Sequence, residues 1–139
     1  AERFVATALL ELHGNAPGAA AGLAVLGKDV AAVSVVRTAN GWDAAFSAGT
    51  AVLEGGAERV VARRPVRSGR LLLRVTVESG ARLAFSTSED GIAYAPIGEE
   101  TVAREGAWVG ARLALFASPL PAAGADAFAD VDWFRVETR

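Results

Sequence analysis

The chain has 139 residues, 52% of them hydrophobic and 22% charged, which fits a single globular domain with a substantial core and excludes wholesale disorder. A formal net charge of −2 leaves no footprint for nucleic acid or for an anionic membrane. With no cysteine and one histidine, His13, the chain has no thiol chemistry, no disulfide, no thiolate zinc site and no multi-histidine metal centre.

In chain order, residues 4–12 and 20–26 read as a first pair of strands, joined by a loop over residues 13–19. Residues 16–32 are alanine-rich, which favours helix, but Gly18, Gly22 and Gly27 interrupt them and strands are expected instead. Residues 30–38 are β-branched and almost wholly apolar, the pattern of a central strand covered on both faces. Asn40-Gly41 is a hairpin signal that returns the chain along residues 42–48. Residues 52–66 read as two short strands about Gly55-Gly56.

Residues 71–78 alternate: Leu71, Leu73, Val75 and Val77 share one face, and Leu72, Arg74, Thr76 and Glu78 the other. Ser79-Gly80 turns the chain into a strand with Leu83 and Phe85 on its apolar face. Asp90-Gly91 then predicts another hairpin, with residues 92–97 running back and Pro96 marking a sheet edge or a strand end. Residues 108–117 read as a long strand, 118–125 as a loop and 127–137 as the last strand. This succession of short strands predicts an all-β antiparallel sandwich or barrel. No repeat supports a propeller or solenoid.

No nucleophile elbow, P-loop, dinucleotide-binding glycine pattern or HExxH is present. His13 reads as a solvated loop residue. Among the 16 acids no spacing selects a glycosidase pair. Asp126, Asp130 and Asp132 are the best hard-oxygen cluster. Asp130 and Asp132 share a strand face by alternation, and with Glu2 they form the candidate Ca²⁺ ligands. Seven arginines fall between Arg59 and Arg82 with no aromatic among them, so a solvated or docking face is expected there and not a nucleic-acid groove. Trp42, Tyr94 and Trp108 are the candidate sugar-stacking residues, with Trp133 a further aromatic that a core would also use.

Four segments resemble a known family when taken in order: Ala21-Gly22-Leu23 through Lys28-Asp29; Phe85-Ser86-Thr87-Ser88-Glu89-Asp90-Gly91 with Ile97-Gly98; Gly106-Ala107-Trp108 through Arg112 with Leu115-Phe116-Ala117; and Asp130-Val131-Asp132-Trp133-Phe134. From Ala21 to the C-terminal end, their order and spacing resemble the C-terminal concanavalin A-like sandwich of glycoside hydrolase family 43 β-xylosidases and α-arabinofuranosidases. The resemblance implies a jelly-roll two-sheet sandwich that accompanies a catalytic propeller. It is also classed as a carbohydrate-binding module, for xylan or arabinoxylan-type saccharides. No catalytic residue carries over, because the propeller holds them.

The expected function is therefore a non-catalytic accessory domain. A stand-alone lectin-like sandwich and a small concanavalin-like glycanase are the alternatives. No cofactor is required, and the one candidate ion is a structural Ca²⁺. In the family, leading strands precede the part matching residues 4–12, so an exposed first edge and a homodimer are expected here. The absence of methionine and the start at Ala1 predict an excised or processed piece. Its arginine- and alanine-rich composition points to a bacterial source, and its compartment is left open.

Overall fold

The structure, a computed structural model, describes residues 3–14, 16–27, 29–49, 59–102, 112–118 and 127–138. These form eleven strands: β1 Phe4–Gly14, β2 Ala20–Leu26, β3 Val30–Arg37, β4 Trp42–Gly49, β5 Arg59–Val66, β6 Arg70–Glu78, β7 Arg82–Ser88, β8 Ala95–Pro96, β9 Thr101–Val102, β10 Arg112–Ser118 and β11 Ala127–Thr138. One sheet has the order β11-β1-β6-β7-β8, with β9 also pairing β7; the other has the order β10-β2-β3-β4-β5. Every pairing among the described residues is antiparallel. No described helix is long and apolar enough to cross a membrane.

Alternation builds the core as expected. Leu71, Leu73, Val75 and Val77 turn inward from β6 and meet Leu23, Val33 and Phe46 of the facing sheet in one apolar cluster. Each such side chain contributes about 1.5–3 kcal/mol on full burial. β3 is buried on both faces along Ala31–Val36, as its unbroken apolar run predicts. Ser34 of this strand lies opposite Gly22 of β2. Gly22 has no room for a side chain, because a Cβ there would meet the Val33 carbonyl and the Phe116 ring.

The hairpins at residues 38–41 and 79–81 form where the turn residues place them. Thr38 anchors the first, its N–H donating to the Gly41 carbonyl and its Oγ1 accepting the Gly41 N–H, both at 2.9 Å. In the second, Gly80 and Ala81 both have positive φ, which lets a short loop follow the twist of the strands it joins. Pro96 lies on the outermost strand of its sheet, where its missing N–H disrupts no ladder.

The strand pairing departs from expectation. Residues 4–12 and 20–26 do not pair. β1 lies between β11 and β6 in one sheet, while β2 lies between β10 and β3 in the other. Each strand offers one apolar face, and facing across the core buries both where hairpin pairing would leave them side by side. The same placement removes the expected exposed first edge, since β1 is paired along both sides. His13 is not a loop residue but lies near the end of β1.

A further correction concerns residues 92–97, of which only Ala95–Pro96 are strand. Asp90 caps the intervening loop. Its Oδ1 accepts the Ile92 and Ala93 N–H groups at 2.8 and 3.0 Å and the Ser88 hydroxyl at 3.1 Å. These bonds, the Ile92 N–H foremost, hold its carboxyl below the usual carboxylate range. Of residues 52–66, the second half forms β5, and the expected turn at Gly55-Gly56 lies outside the described residues. Residues 108–111, including Trp108, also lie outside them.

Candidate functional site

Strict alternation along β11 would place Asp130, Asp132 and Phe134 on one face. The register shows otherwise. Val131 is opposite Leu10 and Trp133 is opposite Leu9, which leaves Asp132 as the extra residue of a β-bulge. Beyond the bulge the faces exchange. Trp133 and Arg135 join Asp130 on the outer face, while Phe134 and Val136 join Ala129 and Val131 on the inner one.

The inner face of β11 is only partly covered. Val131, Phe134 and Val136 are 48%, 42% and 49% exposed, although their partners on β1, Leu10, Ala8 and Ala6, are fully buried. Leu115 of β10, another edge residue, is 38% exposed. Between the two edge strands lies an apolar cavity of about 180 Å³, lined by Leu10, Ala21, Leu115, Ala117, Ala129 and Val131. It forms a hydrocarbon seam along one side of the sandwich.

The outer face of the larger sheet is of a different kind. At the β1 end, Arg70 pairs with Asp132 at 3.2 Å and Glu11 at 3.7 Å, and the His13 Nε2 lies 3.0 Å from Asp130. Phe128 stacks on the His13 ring at 4.6 Å between centroids. Such exposed pairs are individually worth less than about 1 kcal/mol. Further along the same face, the Arg74 guanidinium lies 3.6 Å from the centre of the Tyr94 ring, and its Nε donates to Thr7 Oγ1 at 3.0 Å. Arg135 lies over Trp133 at 4.8 Å.

The structure distributes the sequence-selected residues unevenly. Asp130 and Asp132 stand close together, but each carboxylate faces a basic side chain. Glu2 and Asp126 lie outside the described residues. Among the described residues, no group of three or more His, Asp and Glu could hold an ion. The Arg70 guanidinium bridges Asp132 and Glu11, and its charge opposes a cation at that point. EDTA is therefore expected to leave the melting temperature unchanged. A fall in EDTA, restored by Ca²⁺, would show that an ion displaces Arg70.

Trp42 packs against the core, with Arg37 over its ring at 4.8 Å. Tyr94 is half-buried against Arg74. Trp42 belongs to β4 of the five-stranded sheet, whereas Tyr94 immediately precedes β8 of the other. Sequence reasoning missed Arg74 because alternation marks it only as an outward-facing cation. The signal available was its place in one row with Thr7 and Ser86, which needs the strand order.

The sequence profile of the β-xylosidase C-terminal concanavalin A-like domain matches residues 1–137. The chain belongs to this family. The match reaches well upstream of Ala21, so residues 1–20 are part of the concanavalin A-like domain. No curated protein matches the sequence at a significant level.

Solved structures resemble the concanavalin A-like domain in fold. A bifunctional protein of Bacteroides eggerthii, described as combining glycoside hydrolase family 43 with a CE module, gives a TM-score of 0.83 at 20% identity over 99% of this chain and 18% of its own. A mutant form of a Bacillus licheniformis family 43 protein gives 0.79 at 18% identity, covering 100% of this chain and 28% of its own. An engineered family 43 enzyme with endo-xylanase and exo-arabinofuranosidase activity gives 0.81 at 17% identity, covering 100% and 30%. The chain thus spans less than a third of the length of these proteins, and the likeness is one of fold.

Proposed function

We propose that the concanavalin A-like domain works as a non-catalytic accessory domain that docks, through the seam between β10 and β11, onto the catalytic part of a family 43 glycoside hydrolase. One observation carries this reading: core-facing side chains of both edge strands stand half-exposed on the same side of the sandwich. A contiguous apolar surface of this kind marks an interface. The similar proteins are more than three times as long as the chain, so the surface that covers the seam is sought in the rest of such an enzyme. The substrate of that enzyme would be of the xylan or arabinoxylan type, as the activities of a structural neighbour suggest.

The test mixes the domain with the separately produced catalytic part of its own enzyme and measures association by calorimetry. Binding is expected, and Phe134→Asp with Val136→Asp should weaken it by about tenfold or more, since both charges would be desolvated in the interface. The domain alone should turn over no nitrophenyl xyloside or arabinoside. Absence of binding, with light scattering showing a dimer that the same two substitutions dissolve, would assign the seam to a second copy of this chain.

A further inference from the structure

Arg74 stands apart from the other charged groups of the outer face. Glu11, Arg70, Asp132, Arg135 and Glu137 are engaged in ion pairs and Asp130 is hydrogen-bonded to His13, whereas no described acid pairs with Arg74. It is also half-buried, in the middle of a central strand. A cation in that position ordinarily needs an anion.

Its guanidinium is held in place from two directions. Tyr94 packs against it, and Thr7, itself buried, accepts from its Nε. Both contacts leave the two Nη groups without a hydrogen bond to any described residue. The planar fork of an arginine is the group best matched to a carboxylate. Its direct neighbour across the strand pair is Ser86, and its neighbour two residues along β6 is Thr76. Both are half-buried, and their hydroxyls make no hydrogen bond to another described residue. Beyond Thr7 in the same row lies Arg135, over Trp133, so guanidinium-on-aromatic stacking recurs across the sheet.

We infer that Arg74, with Thr76 and Ser86 beside it and Tyr94 against it, binds the carboxylate of an acidic saccharide, a hexuronate. The ligand class follows from the donors present. A fixed guanidinium with no acid beside it among the described residues asks for a carboxylate, and hydroxyls without a described partner next to an aromatic ring ask for a polyhydroxylated ring. Among the described residues a phosphate would find one unpaired cation here, Arg74. The inference does not rest on the docking reading, because this face lies on the opposite side of the larger sheet from the seam.

The experiment titrates the intact chain, by calorimetry and by amide chemical shifts, with a xylo-oligosaccharide bearing one glucuronic acid and with the neutral oligosaccharide of equal length. The acidic sugar is expected to bind about tenfold or more tightly than the neutral one, to shift resonances of β6 and β7, and to weaken with salt. Arg74→Gln should abolish the preference. Arg74→Lys should restore only part of it, because a point charge replaces the fork. If Arg74→Gln lowers the melting temperature, Ser86→Ala provides the check, since it leaves the stack intact and should still weaken the acidic sugar alone. Equal affinity for the two sugars, or a preference that survives Arg74→Gln, overturns the inference. So does an absence of sugar binding together with shifts at the same residues on adding an acidic peptide, which would make the face a protein-docking surface. Failure here leaves the seam experiment untouched, and the converse also holds.

Discussion

Gly98→Ala should destabilise the domain by about 2–5 kcal/mol, through two costs that act together. Gly98 has φ of 74°, in the left-handed region that an L side chain enters at a cost of about 1–2 kcal/mol. A Cβ at this position would also overlap the ring of Phe46. Phe46 cannot easily retreat. It is buried in the facing sheet and packs against Phe85 at 5.4 Å between ring centroids. Overpacking of this kind costs about 1–3 kcal/mol. Gly80→Ala separates the two costs, because Gly80 has φ of 79° but a Cβ there would meet nothing within 4 Å. Urea unfolding of both variants should show Gly98→Ala losing distinctly more stability. Equal losses would mean that the Phe46 ring moves aside freely and that the close approach carries no energetic weight.

Arg64→Ala should cost about 2–4 kcal/mol, and Arg63→Ala less than about 1 kcal/mol, although the two are adjacent and carry the same charge. Arg64 is half-buried on the inner side of β5, where it reaches across the open side of the sandwich to the other sheet. It donates to the Pro96 carbonyl at 2.9 Å, the Ala95 carbonyl at 3.2 Å and the Thr87 hydroxyl at 2.7 Å. Thr87 is buried, so truncation leaves its hydroxyl and a short, two-residue edge strand without their partner. Arg63 points to solvent and makes one ion pair, with Asp43 at 3.4 Å. Thermal unfolding of the two variants decides the matter. If they fall together, the clasp between the sheets is a surface contact like any other.

Much of the fold was legible because its cause is local. Leu71–Val77 alternates with a period of two, and the face that alternation assigns to the core is the one that is fully buried. The turns at Asn40-Gly41, Ser79-Gly80 and Asp90-Gly91 sit where side chains or φ demand a reversal. The unbroken apolar run of β3 marks a strand covered on both faces, and Pro96 marks an edge. The order of motifs from Ala21 onward pointed to the family. The sites were less legible. Trp42 and Tyr94 could be selected by type, but residue type alone does not show that Trp42 packs against the core or that each ring carries an arginine. Asp130 and Asp132 were selected by spacing, which carries nothing about the side chains opposite them. Arg70 and His13, distant in sequence, face them only once β1 and β6 lie alongside β11.

What the sequence alone determined is therefore the all-β class, the strands with strong alternation and the hairpins with explicit turn chemistry. Each depends on residues a few positions apart, where sterics and hydrogen bonding act through the chain itself. Only the tertiary structure decided that β1 and β2 face each other across the core, that Asp132 bulges and that Arg74 stands against an aromatic ring with no acid beside it among the described residues. A strand's pattern states that it has a buried face, but not which strand will cover it. A single extra residue at Asp132 exchanges the faces of everything after it, because the side-chain period along a strand is two, and only the register against β1 reveals that residue.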